Sequence, residues 1–197
     1  MPAVSSAAPL PAVSSAAGAV SSQAPALLAG NAVSSAAKSA ANGAKQSEVG
    51  KIQAAVNLDW HRYTLKAAAP KMLKKKTYDA YEICDEDYLV GPKILVDPVG
   101  GKIYTWTPSD TAPIPAADDK AFDRTVRTVI GTVEDGAMMN VILKTESGNE
   151  LVVRRLGVDT TGLTSLKTGD RIRVTYTGVI NGNDTSRAFI TGLENVR

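Results

Sequence analysis

Side chains suited to covalent or acid–base chemistry are few in this chain. Among 197 residues there is one His, His61, and one Cys, Cys84. His61 stands beside Asp59 and Trp60, with no second His and no acidic cluster at metal-ligand spacing. A lone imidazole of this kind reads as an ordinary packed or surface residue, not as an acid, a base or a ligand. Cys84 lies among Asp79, Glu82, Asp85, Glu86 and Asp87. Negative neighbours disfavour a thiolate, so it reads as a small strand hydrophobe and not as a nucleophile. A single Cys also excludes an internal disulfide. The Ser pairs near the start, such as Ser5-Ser6 and Ser14-Ser15, have no partner base. Gly100-Gly101 lacks the following Lys-Ser or Lys-Thr of a phosphate loop and reads as a hairpin turn. Asp118, Asp119 and Asp123 sit in a polar stretch where solvation is the default. The expectation is a chain without catalytic residues, metal or cofactor, and not an enzyme.

Charge and aromatic patterning point instead to binding. Lys and Arg number 22 against 20 acidic residues, so the net charge of +2 excludes a strongly basic nucleic-acid coat. Arg154, Arg155, Arg171, Arg173 and Arg187 are the residues that could contact phosphates of a single strand. Single-strand binders also need aromatic platforms, because stacking supplies roughly 1–3 kcal/mol per base. Past residue 123 only Tyr176 and Phe189 are aromatic, and Tyr176 shares its alternation with Ile172 and Val174, a core pattern. Lys71-Met72-Leu73-Lys74-Lys75-Lys76 is the one compact basic run, and Lys74, Lys75 and Lys76 are expected at the rim of a contact. Tyr78, Tyr81, Tyr88, Tyr104 and Trp106 are expected to supply aromatic contact surface to a partner.

Three segments must position these groups. Residues 1–45 are Ala- and Ser-rich, and the word Ala-Val-Ser-Ser recurs at irregular spacing. That spacing excludes a solenoid period, and Pro2, Pro9, Pro11 and Pro25 exclude one continuous helix. Ordering a residue costs roughly 1–2 kcal/mol of backbone entropy. Leu10, Leu27 and Leu28 are the main large side chains available to offset it. The arm is therefore expected to take a shape only against neighbouring subunits. No basic n-region with an apolar core marks a secretory signal. No apolar run reaches the roughly 18 residues of a membrane helix. The expected location is a virion or the cytoplasm.

Residues 46–120 read as a helix and β-hairpin region. Val49, Ile52, Val56 and Trp60 recur at helical spacing, which predicts a helix over about 47–58, with a backward extension through Ala36–Ala44. Pro70 is expected to break the segment after that helix. Strands are predicted over 78–84, 93–96 and 102–107, and Pro113 and Pro115 make 111–117 a linker. Residues 121–197 read as five strands, over 125–133, 138–145, 150–156, 171–179 and 186–196. Ser147-Gly148-Asn149 and Asn181-Gly182-Asn183-Asp184 supply turns, and Leu163 and Leu166 are placed to cap a barrel.

This last segment resembles an OB-fold. The resemblance rests on the strand order, with a short connection before the fourth strand. It also rests on Gly131 inside the first strand, where such barrels bend by a bulge. Leu166-Lys167-Thr168-Gly169-Asp170-Arg171-Ile172-Arg173-Val174 leads into the fourth strand in the same way. It covers about 75 of the 197 residues. The fold class expected is mainly β: a C-terminal five-stranded OB-like barrel, a helix and hairpin middle region, and a low-complexity arm. The function expected is a non-enzymatic structural subunit of a large assembly, binding other subunits of that assembly as a homo- or hetero-oligomer. Small barrels with extended arms resemble components of phage tails, baseplates, connectors and capsids. The alternative is a module binding single-stranded nucleic acid or oligosaccharide.

Overall fold

A computed structural model of the chain describes residues 45–196. These residues belong to one compact unit. The arm up to residue 44, including the backward extension of the helix, lies outside the described residues. The fold is mainly β.

Helix α1 occupies residues 45–55. Ile52, and Val56 just past its end, are buried, 0% and 2% exposed, and Val49 packs partly against the same core. It stops earlier than its apolar spacing predicts. The Trp60 indole donates to the Gln53 carbonyl at 3.0 Å and to the Val56 carbonyl at 3.2 Å, satisfying acceptors that the last turn leaves open.

The first sheet contains β1 (Tyr63–Leu73), β2 (Lys76–Asp85), β3 (Tyr88–Leu89), β4 (Lys93–Val96), β5 (Ile103–Trp106) and β6 (Ile114–Pro115). Its order is β1-β2-β4-β5-β6, with β3 also paired to β2. β4 has the predicted bounds, and β2 and β5 match to within two residues at either end. β1 overturns the expectation that Pro70 breaks the chain. The strand is an edge, and its register shifts between Ala68 and Lys71, so the proline falls in the irregularity where no ladder donor is needed. The stretch 111–117, read as a linker, carries β6 and the buried Ala116. Pro115 is tolerated there because β6 is the opposite edge.

The second sheet contains β7 (Arg127–Gly136), β8 (Asn140–Thr145), β9 (Glu150–Arg154), β10 (Arg171–Asn181) and β11 (Asp184–Asn195), in the order β11-β10-β7-β8-β9. It curls into a nearly closed antiparallel barrel, compatible with an OB-like barrel. Across the seam, the Thr185 hydroxyl donates to the Val152 carbonyl at 3.1 Å and the Glu150 amide donates to Asn183 at 3.1 Å. Alternation places Val133, Val141, Leu143, Leu151, Val153, Ile172, Val174 and Leu193 inside. Leu163 and Leu166 pack against that core, as expected of a cap. The bulge in β7 falls between Val133 and Asp135, not at Gly131. Gly131 is needed for a different reason: a Cβ there would sit 3.0 Å from the Leu143 Cβ and 3.1 Å from the Lys144 carbonyl oxygen. Tyr176, expected in the barrel core, is only half-buried and lies outside it.

The two sheets share a core. Phe189 of β11 is 1% exposed and joins Tyr81, Ile83, Ile94, Val96 and Phe122. Its ring meets Tyr63 edge-on, with centroids 5.3 Å apart.

Candidate functional site

The five aromatic contact candidates separate into three places. Tyr78 and Tyr81 are buried, 8% and 3% exposed, so they belong to the core and offer no surface. Their strand β2 is central and both its faces are covered, which the period-2 pattern alone does not reveal. The Tyr81 hydroxyl donates to Glu48 at 2.6 Å, and burial first, then that carboxylate, push its pKa up. Tyr104 packs against Tyr78 at 5.9 Å between centroids, and Trp106 joins the same small cluster. Lys71 lies over the Trp106 ring at 4.3 Å. Lys74 and Lys75 form the exposed turn between β1 and β2, and Lys76 pairs with Asp97 at 2.6 Å. Tyr88 lies elsewhere, under the guanidinium of Arg154 at 5.0 Å.

Four of the five candidate arginines are engaged by carboxylates. Arg171 pairs with Glu146 and Arg173 with Glu194, each at 2.6 Å. Arg187 is 15% exposed and is held by Asp110 and Asp119. Arg154 contacts Asp85 at 3.2 Å. Arg155 is half-buried, and its amide donates to the Met139 carbonyl. The outer face of β8 and β9 presents Asn140, Ile142, Lys144, Glu150, Val152 and Arg154, without an aromatic ring. His61 is exposed in a turn. Cys84 is buried, and burial first, then Glu82 and Asp87, push its thiol up against the opposing pull of Lys66. Asp118 is exposed. Asp123 is held well below the usual carboxylate range by hydrogen bonds from Arg127 and Thr125. Asp119, read as solvated, is instead 7% exposed. It caps the 3-10 turn Lys120–Phe122 by accepting from the Ala121 amide, and it accepts from Thr105 and Arg187.

Two buried clusters hold the sheets together. In one, Arg187 Nε lies 3.1 Å from each oxygen of Asp119, and Nη2 lies 2.6 Å from Asp110. In the other, Asp85 is 4% exposed and accepts from Arg62 at 2.8 Å and Arg154 at 3.2 Å. Arg62 also donates to the Gly157 carbonyl at 2.6 Å. Burial works against the Arg62 charge, but Asp85, together with Tyr63 and Asp59, outweighs it and holds the guanidinium more firmly protonated. The sequence gives no signal for Arg62 and Asp85, because their partners lie 23 to 128 positions away.

Beside the second cluster runs a groove. The segment Leu89–Gly91 is a wall common to two cavities. One, of about 150 Å³, is lined mainly by apolar groups, including Ile83, Pro92, Trp106 and Pro108. The other, of about 320 Å³, is lined by Asn140, Val152, Arg154 and Thr185, and no carboxylate contributes to it. Ser186 lines both. The Ser186 hydroxyl and Nη1 of Arg154 are buried without a hydrogen-bond partner, which costs free energy in a closed interior. Gly91, at φ +64°, lets this wall cross Phe189, whose ring would lie 2.5 Å from a Cβ there. The groove thus joins Trp106 and Arg154 from the expected residues, with Tyr88 stacked on Arg154, to Leu89, Gly91 and Ser186, which no motif marks.

Among the described residues, no helix is long and apolar enough to cross a membrane. Compared with known proteins, the chain matches no family model, no curated protein and no solved structure.

Proposed function

We propose that the chain is a non-enzymatic structural subunit of a large multi-subunit assembly, with the sheet-and-barrel body as a docking module and the Ala/Ser arm lacing neighbouring subunits. Within that class the reading extends to a phage virion component of a tail, baseplate, connector or capsid, by analogy with small barrels that carry extended arms. The observation that supports it is the use of the buried charges. Arg187 with Asp110 and Asp119, and Arg62 and Arg154 with Asp85, lock two sheets into one body instead of facing a reaction centre. A rigid body attached to an arm poor in large apolar groups has the composition of a part that finishes ordering on assembly.

The test is limited proteolysis of the full chain as a free monomer and in its assembled form, with light scattering to assign each state. Cleavage confined to the first 45 residues in the monomer, and lost on assembly, is the expected result. An arm that resists cleavage in the monomer, or assembly unchanged by removing it, overturns the reading. The nucleic-acid alternative predicts salt-sensitive binding of a single-stranded oligonucleotide; the paired arginines count against it.

A further inference from the structure

The groove between Leu89–Gly91 and the barrel seam has an unbalanced charge. Two guanidiniums, Arg62 and Arg154, share the single carboxylate of Asp85. Arg154 stacks on Tyr88, keeps 17% exposure, and has one nitrogen with no partner. Around it the larger cavity offers the amide of Asn140 and the hydroxyl of Ser186, the Thr185 hydroxyl being already given to the Val152 carbonyl, and no acidic side chain lines it. The rim is apolar, with Leu89 58% and Val152 49% exposed. Across Gly91 lies the smaller apolar cavity against Trp106 and Pro92. A cation that lacks a full counter-charge, ringed by donors and flanked by apolar walls, suits an anion carried on an apolar scaffold.

We infer that this groove binds an extended segment of a partner protein through a Glu or Asp side chain set between bulky apolar residues. The carboxylate lies against the accessible part of the Arg154 side chain and accepts from the Asn140 amide, and the apolar neighbours rest on Leu89 and Val152 and reach toward Trp106. The docking reading above supplies only the carrier of the segment. Binding itself belongs to the isolated chain, so a failed groove leaves that reading to its own proteolysis test. Other carriers of an oxyanion are separated by experiment: a free ion needs no apolar flank, and a basic surface contact would fall on Lys74 and Lys75 instead.

The test titrates the ¹⁵N-labelled full chain with the peptide acetyl-Leu-Glu-Leu-amide, with its Gln counterpart and with inorganic phosphate. The Glu peptide is expected to shift the amides of Gly91, Val152, Arg154 and Ser186. The Gln peptide should bind about tenfold more weakly, as loss of one charge-assisted hydrogen bond implies. Phosphate should shift none of these amides at the same concentration. Arg154→Gln should bring the two peptides level. Because that variant also disturbs Asp85, Val152→Glu serves as a second one: it places a carboxylate on the rim without touching the core and should abolish binding. Equal binding of the Glu and Gln peptides, equal effects of phosphate, shifts centred on Lys74 and Lys75, no shifts at all, or full binding by Val152→Glu would each overturn the inference.

Discussion

Arg187 of β11 faces Asp119 at the start of a 3-10 turn, with Nε 3.1 Å from both carboxylate oxygens, although the two residues stand 68 positions apart. Both side chains are nearly sealed, at 15% and 2% exposure. A pair of this kind is a poor source of net stability when whole, yet losing one member strands a buried charge. Arg187→Ala is therefore expected to cost about 3–5 kcal/mol. The double variant with Asp119→Ala should recover part of that loss. Urea unfolding of the four proteins of this cycle checks it. Additive losses would mean that the two residues do not act as a pair.

Acid should loosen the same cluster. Burial opposes ionisation of Asp110, but hydrogen bonds from Arg187 and Thr107 outweigh it and hold the carboxyl below its ordinary value. A carboxylate of the unfolded chain titrates near about pH 3.9. The folded state thus binds fewer protons than the unfolded one, and its advantage is complete above about pH 4. That advantage is lost as pH falls through the lower folded value. The urea midpoint of the parent should drop between about pH 4 and pH 2 more steeply than that of Asp110→Asn. Parallel profiles would remove Asp110 from the account.

Gly178 is the most constrained glycine of the barrel. Its φ is +81°, and a Cβ would fall 2.3 Å from the Arg187 carbonyl oxygen and 2.8 Å from that of Ala121. Both atoms are backbone, so neither can swing aside. Gly178→Ala should cost more than about 2 kcal/mol, combining conformational strain with displacement of paired strands. Thermal unfolding reads this directly; a variant within about 0.5 kcal/mol of the parent would contradict the geometry.

The turn between β1 and β2 predicts a gain. Lys74 and Lys75 both have positive φ, +46° and +68°, in a two-residue hairpin loop. This is the backbone for which Asn-Gly is favoured. Lys74→Asn combined with Lys75→Gly should raise stability by about 1 kcal/mol. Unchanged or lowered stability would indicate that the lysines contribute contacts that offset the backbone strain.

The barrel was legible because its strands alternate. Ile172 and Val174 point in while Arg171 and Arg173 point out, and Gly-containing turns separate the segments. The run Lys93–Val96 was equally plain between Gly91-Pro92 and Asp97-Pro98. β1 was not, because Ala67, Ala68, Ala69 and Pro70 carry no strand pattern; long pairing with β2 and a bulge override local preference. The groove was invisible for a related reason. Tyr88 and Arg154, or Arg62 and Asp85, meet only through sheet packing, and nothing in their local spacing records the meeting.

Phe189 belongs to the barrel's final strand but fills the interior of the other sheet. During synthesis, that sheet emerges from the ribosome many residues before its plug does. The early strands must wait, with an unfilled hollow, until β11 is made. Splitting the gene near codon 120 should for the same reason yield two fragments that fold poorly apart and recover only when mixed.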